Sequence, residues 1–156
     1  MRFLDSLGFT TKTEPSTAET KIIAPTDQAR SVLLVDDSPD NRLILREYLK
    51  NSPYRVEEAY NGIMAVAMAK LRKFDFIIMD LLMPEMDGFE AMRQIRRFED
   101  SLPPGDRACV IALTAWALRE AESESFGCGA DIYLTKPIRK AKLLEILAAQ
   151  TAPRRA

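Results

Sequence analysis

An apolar run at residues 32–35 leads directly into two adjacent carboxylates, Asp36 and Asp37, within the stretch "SVLLVDDSPD". Like charges a few ångströms apart repel by about 1 kcal/mol in water and by about 4 kcal/mol at an effective dielectric of 20. A neighbouring cation would offset that repulsion. Farther along, Asp80 closes "DFIIMD", Thr114 closes "CVIALT", and Lys136 with Pro137 closes "IYLTKP". Gathered in one place, three carboxylates and one ammonium make an oxygen-rich site for a hard divalent cation. Mg2+ suits it, because that ion keeps several waters and takes carboxylate and phosphate oxygens. A phosphoryl group arriving there would lie between the metal, the Thr114 hydroxyl and the Lys136 ammonium, which neutralise charge on its oxygens. Asp80 is then placed as a nucleophile that becomes an aspartyl phosphate.

Whether these residues meet depends on the elements that carry them. From residue 31 to about residue 150, short apolar runs alternate with helical patterns: "VLLVD", "NRLILREYLK", "YRVEEAY", "GIMAVAMAKL", "DFIIMD", "GFEAMRQIRRF", "CVIALT", "LREAESESF", "IYLTKP" and "KLLEILAAQ". The alternation predicts five strand–helix units. Ser38 before Pro39 supplies an N-cap and a favoured first helical residue, and Asn61-Gly62 marks the turn into the second helix. Strands that read as nearly continuous apolar runs are buried on both faces, so the expected fold is a doubly wound α/β domain around a five-stranded parallel sheet. In such sheets, functional groups collect at the carboxyl ends of the strands. Asp36, Asp37, Asp80, Thr114 and Lys136 all fall at strand ends and should converge on one edge.

Each residue also has an ordinary role. A strand-end Asp is commonly a turn former or N-cap, Thr114 could cap a helix, Lys136 could be solvated, and Tyr133 could be a strand residue with a wet hydroxyl. It is their joint occurrence that argues for a site. The "PEMDG" segment, residues 84–88, reads as a turn in which Gly88 tolerates a positive φ and shapes the loop after Asp80. Met83 and Met86 read as packing.

Composition narrows the alternatives. With 156 residues, 47% hydrophobic and 29% charged, the chain supports one well-buried core. Its formal net charge of -1 shows no basic excess, so nucleic acid is not an expected partner. The absence of histidine excludes the common zinc sites and a Ser-His-Asp triad. Cys109 and Cys128 lack metal-ligand spacing and fit a reducing cytosol. No apolar run approaches the roughly 20 residues that span a bilayer, and residues 1–10 lack a secretory apolar segment. The expectation is a cytoplasmic protein with no membrane partner. Residues 1–30 read as an N-terminal extension or linker, residues 31–150 as the domain, and residues 151–156 as a tail with no output domain after it. Within the extension, Phe3, Leu4 and Leu7 would share one face of a short helix, either a docking segment or a frayed end.

The segments "VDDS", "MDLLMPEMDGFEAM", "ALTA" and "GADIYLTKPI", in this order and on these elements, resemble the receiver domain of two-component response regulators. "SLPPGD", before the fourth strand, is a slightly long connection that leaves the pattern intact. The resemblance implies a flavodoxin-like fold with strand order 2-1-3-4-5. It implies Asp80 as phosphoacceptor and Asp36, Asp37 and Asp80, with the Leu82 carbonyl, as Mg2+ ligands. Thr114 and Lys136 become phosphate contacts, Tyr133 becomes the switch residue, and the Lys136-Pro137 bond becomes cis. By the same resemblance the protein is a phosphorelay signalling protein rather than an enzyme, catalysing only its own phosphorylation and slow dephosphorylation. The donor would be a sensor histidine kinase or a histidine phosphotransfer protein, because this chain has no histidine. A downstream protein would bind the face of the fourth helix, fifth strand and fifth helix, and a homodimer is a further possible partner state.

Other classes fit less well. A haloacid-dehalogenase-like phosphatase needs a second Asp two residues after the nucleophile, where Leu82 stands. An FMN carrier needs a Ser/Thr/Gly-rich phosphate loop after the first strand, where "DDSPD" would repel the phosphate. The rival reading is a degenerate receiver acting as a constitutive interaction module, although every site residue is present. In the family's arrangement Leu82 and Trp116 flank the approach of a hydrolytic water, and neither side chain can orient one.

Overall fold

The computed structural model describes residues 29–150. The extension with Phe3, Leu4 and Leu7, and the tail at residues 151–156, lie outside the described residues. Five strands and five helices alternate: β1 (Arg30–Val35), α1 (Pro39–Leu49), β2 (Tyr54–Ala59), α2 (Gly62–Leu71), β3 (Phe76–Met79), α3 (Gly88–Glu99), β4 (Cys109–Thr114), α4 (Arg119–Gly127), β5 (Ile132–Thr135) and α5 (Lys140–Ala149). All strand pairs are parallel, in the order β2-β1-β3-β4-β5. This is the doubly wound, flavodoxin-like sheet with the expected order.

The near-continuous apolar strands are explained by two cores, one on each face. Val32 and Leu34 of β1, Phe76 and Ile78 of β3, and Ile111 and Leu113 of β4 pack with Leu45 and Leu49 of α1 and Leu143 and Leu147 of α5. The intervening residues Leu33, Val35, Ile77, Met79, Val110 and Ala112 pack with α2, α3 and α4 through Ala65, Val66, Phe89, Met92, Ile95 and Ala121. Strand side chains alternate between faces, so a strand covered on both sides has no position to leave polar. Cys109 and Cys128 are buried in opposite cores and form no disulfide. No helix among the described residues is long and apolar enough to cross a membrane.

Local signals place the helix starts. The Ser38 hydroxyl accepts a hydrogen bond from the Asn41 amide at 3.4 Å ahead of Pro39, and Asn61 accepts from the Met64 amide at 2.7 Å. Asp87 does the same for α3, accepting from the Glu90 amide at 2.8 Å. One sequence reading needs correction here. Positive φ in the "PEMDG" loop belongs to Glu85, at 68°, and not to Gly88. Gly88 is needed for a different reason, because a Cβ there would lie 2.2 Å from the Asp80 carbonyl oxygen and 2.8 Å from Leu81 Cα. Its amide donates to the Leu81 carbonyl at 2.9 Å. Glycine therefore lets α3 start against the backbone that carries Asp80. Gly88→Ala should destabilise the domain by about 1–3 kcal/mol, seen as a lower urea midpoint at unchanged slope.

Two arginines close the opposite edge of the sheet. Arg30, at the start of β1, donates to the Gln150 carbonyl at 2.8 Å and lies over the Phe76 ring, 4.5 Å from its centroid. Arg96 of α3 is buried and reaches two other elements. It donates to the Gly129 carbonyl at 2.8 and 2.7 Å and to the Ala108 carbonyl at 2.9 Å, and it pairs with Glu99 at 2.6 Å and Asp131 at 2.8 Å.

Candidate functional site at the strand ends

Backbone hydrogen bonds continue past the strand ends and set the site residues side by side. The Asp80 amide donates to the Val35 carbonyl at 2.9 Å, the Asp36 amide to the Ala59 carbonyl at 3.2 Å, and the Lys136 amide to the Thr114 carbonyl at 2.8 Å. Asp36, Asp37 and Asp80 each present an oxygen within 4.8 Å of the others. Asp36 and Asp80 are buried and Asp37 is exposed. Lys136 Nζ lies 2.5 Å from Asp36 Oδ2 and 3.7 Å from Asp80 Oδ2. The Lys136-Pro137 bond is cis.

The electrostatics of the cleft are unbalanced. Burial pushes the Asp80 carboxyl up to about 6; Lys136 and a backbone hydrogen bond from Leu82 pull it down, while Asp36 and Asp37 push it further up. One lysine does not balance three carboxylates. A cluster of carboxylate oxygens with surplus negative charge fits a divalent cation, the donor set that hard metals prefer.

On the other side of the cleft, the Thr114 hydroxyl is buried and accepts from the Trp116 amide at 3.1 Å. The Tyr133 hydroxyl donates to the Trp116 carbonyl. The two residues expected to act as a switch are thus both bonded to the Trp116 backbone, one through its amide and one through its carbonyl. Leu82 and Trp116 are 53% and 39% exposed, so neither is part of the buried core.

Sequence reasoning missed the residues that hold Asp36. Its Oδ1 accepts from the Ser38 amide at 2.9 Å, and the Asn41 side-chain amide spans Oδ1 and Oδ2 at 3.3 and 3.1 Å. Arg42 donates to the Asp36 carbonyl at 2.6 Å and pairs with Glu58 of β2 at 3.1 Å. The one available signal was the short step from Asp36 to the first turn of α1, which returns Asn41 and Arg42 to the strand end.

A flavodoxin-like parallel sheet whose carboxyl edge gathers three carboxylates, a lysine and a threonine defines a receiver-type α/β domain. The chain belongs to the response regulator receiver domain family, whose family model matches residues 32–148. Its 120-residue match to the chemotaxis protein CheY of Halobacterium salinarum is 37% identical and covers 77% of this chain and 95% of that protein. The sensor protein EvgS of Escherichia coli K12 is 36% identical over 78% of this chain, which spans 9% of that longer relative. In three dimensions, the receiver domain of sensor histidine kinase PA1611 from Pseudomonas aeruginosa PAO1 aligns with a TM-score of 0.70 at 37% identity, covering 78% of this chain and 97% of that one. That structure has a magnesium ion coordinated in its active site cleft.

Proposed function

We propose that this receiver domain takes a phosphoryl group onto Asp80 from a sensor histidine kinase or a histidine phosphotransfer protein and uses it to change a partner-binding surface. The observation that carries this reading is the meeting of Asp36, Asp37 and Asp80 within 4.8 Å, with Lys136 Nζ shared between Asp36 and Asp80. In the transfer, an Asp80 carboxylate oxygen attacks phosphorus while the phosphorus–nitrogen bond of the donor imidazole breaks and its electron pair returns to nitrogen. Asp36, Asp37 and Asp80, with the Leu82 carbonyl, would hold Mg2+, which would supply neutralising charge to the phosphoryl oxygens. Lys136 leaves Asp36 to meet the phosphoryl charge, and the Thr114 hydroxyl turns from the Trp116 amide to donate to a phosphoryl oxygen. Because Tyr133 bonds the Trp116 carbonyl, that turn disturbs Tyr133 as well, and the change reaches the face of α4, β5 and α5.

That face suits a protein partner. Trp116, Leu118 and Phe126 are 39%, 48% and 47% exposed on and beside α4. Exposed Glu120 and Glu122 on α4 and exposed Arg139 and Lys140 at the start of α5 also give complementary charges, which a two-fold homodimer could use. The reading places the protein in the cytoplasm, where a kinase domain would reach it.

Incubation with Mg2+ and a small acyl phosphodonor tests the assignment. One phosphoryl group should be added, labile as carboxyl phosphates are, and mapped to Asp80 by mass spectrometry. Absence of any phosphoryl transfer, from the small donor and from a phosphorylated kinase domain alike, would leave the constitutive interaction module as the better account.

Turnover of the phosphorylated state gives a separate expectation. Neither the Leu82 nor the Trp116 side chain has a group that can position an attacking water, and apolar bulk beside the acceptor would exclude one. General-base help is worth on the order of 10²-fold, so the aspartyl phosphate should last many minutes rather than seconds. Leu82→Asn should speed its decay several-fold, and Trp116→Ala by less, in single-turnover measurements. Decay unchanged in both variants would remove the shielding role and leave Asp80 as the acceptor.

A further inference from the structure

Asp36 is 2% exposed, and its two oxygens meet three donors, one from the backbone and two from side chains. Oδ1 accepts from the Ser38 amide at 2.9 Å and from Asn41 Nδ2 at 3.3 Å. Oδ2 accepts from Asn41 Nδ2 at 3.1 Å and from Lys136 Nζ at 2.5 Å. The Ser38 amide and the Asn41 amide are neutral donors fixed on the entry to α1, a helix start whose cap is itself bonded to the Asn41 backbone. Lys136 is the charged donor, carried on the long side chain of another element, and it also lies 3.7 Å from Asp80.

We propose that Asn41 is a positioning residue for the metal site: its side-chain amide spans both oxygens of Asp36, fixes the plane of that carboxylate, and allows Asp36 to release Lys136 and turn an oxygen lone pair to the cation. This rests on the phosphoacceptor reading above. A buried carboxylate with too few donors holds whatever cation is nearest, because its desolvation is otherwise uncompensated. With Asn41 removed, Asp36 would keep the Ser38 amide and Lys136 alone. Its carboxylate would then rest on Lys136 for most of its compensation, and the divalent ion would have to break a tighter pair than the one present beside Asn41. Outer groups that orient a ligand in this way typically change metal affinity by 10–100-fold. Asn41 and Lys136 both line a groove of about 160 Å³ with Ile44, Tyr48, Leu113 and Pro137, so an apolar side chain at position 41 would have apolar neighbours.

Mg2+ alone is the probe, and Trp116, the single tryptophan of the chain, beside Thr114, supplies a fluorescence signal, with calorimetry as a second readout. In Asn41→Leu the Mg2+ dissociation constant should rise about tenfold. The phosphorylation rate at saturating Mg2+ should stay within roughly twofold of wild type, because Asp80, Thr114 and Lys136 are intact. A residue that merely held the fold together would shift the melting curve and the saturated rate without this separation. Asn41→Ser, which is too short to span both oxygens, should show the same loss of affinity and decides the matter if Asn41→Leu does not fold. A dissociation constant within twofold of wild type in the folded variants overturns the role of Asn41, and so does a lowered saturated rate with unchanged affinity. If Mg2+ fails to bind the wild-type protein, the reading of the acidic cluster falls first and this role with it.

Discussion

Asp80→Asn should abolish phosphoryl incorporation while making the metal-free protein more stable at neutral pH. The loss follows from chemistry, since an amide oxygen cannot replace a carboxylate as nucleophile. The gain follows from the site's electrostatics. Burial and the neighbouring carboxylates raise the Asp80 carboxyl from 3.8 to about 6 in the folded domain. A raised carboxyl binds its proton more tightly when folded, so this contribution to stability is full below about pH 4 and is lost as pH rises through about 6. Above that, ionised Asp80 costs on the order of 1–2 kcal/mol once solvent screening at the cleft mouth is allowed for. Metal-free wild type should therefore lose stability between about pH 4 and pH 7 relative to Asp80→Asn, with the two converging in acid. Added Mg2+ should narrow the gap at pH 7, because an ion that binds the folded state alone stabilises it by mass action. Thermal melts of both proteins across this pH range, with and without Mg2+, check the set. A variant that still takes up phosphate would sink the assignment of Asp80, and one no more stable than wild type at pH 7 would sink the account of the crowded charges.

The largest loss of stability is expected at the other edge of the sheet. Arg96 ties α3 to the segment entering β4 and to the turn before β5, and its partners Glu99 and Asp131 face it in a buried or partly buried setting. Glu99 Oε1 also accepts from the Ala108 amide at 2.8 Å, and Asp131 Oδ2 from the Val110 amide at 2.8 Å, so the charges hold backbone as well. Arg96→Leu removes the guanidinium and leaves two carboxylates and two carbonyls facing an apolar side chain. Breaking a buried pair in this way costs about 3–5 kcal/mol, against a total stability of about 5–15 kcal/mol for a domain. Arg96→Lys should recover little of it, because one ammonium cannot span the Gly129 and Ala108 carbonyls and both carboxylates. Urea unfolding of the two variants measures this directly, and a loss below about 1 kcal/mol for Arg96→Leu would show that the network is not needed for the fold.

The contrast between the two edges explains what could be read from the chain. The strands were legible because burial on both faces leaves no polar position between residues 32 and 35 or between residues 76 and 79. The gathering of Asp36, Asp37, Asp80 and Lys136 followed, because parallel strands bring all their carboxyl ends to one side. Arg96 gave no such signal. Its partners at residues 99, 108, 129 and 131 are ordinary one by one, and they meet through packing of α3 rather than through any period in the sequence. Gly88 was noticed for the wrong reason, since a glycine that admits a neighbouring backbone is written the same way as one that admits a positive φ. Asn41 was hidden within a capping pattern. The cap fixes where α1 starts, and only the three-dimensional return of that first turn to Asp36 shows what the side chain touches.

The hydrogen bond from Arg30 to the Gln150 carbonyl makes the domain a plug-in module. Both attachment points sit together on the edge away from the cleft, and six strand residues at about 3.3 Å each set Arg30 roughly 20 Å from Asp36. A tether, fluorophore or neighbouring domain joined at either point would therefore leave the cleft open. A longer chain joined at Arg30 and Gln150 would leave the phosphoryl transfer proposed at Asp80 undisturbed.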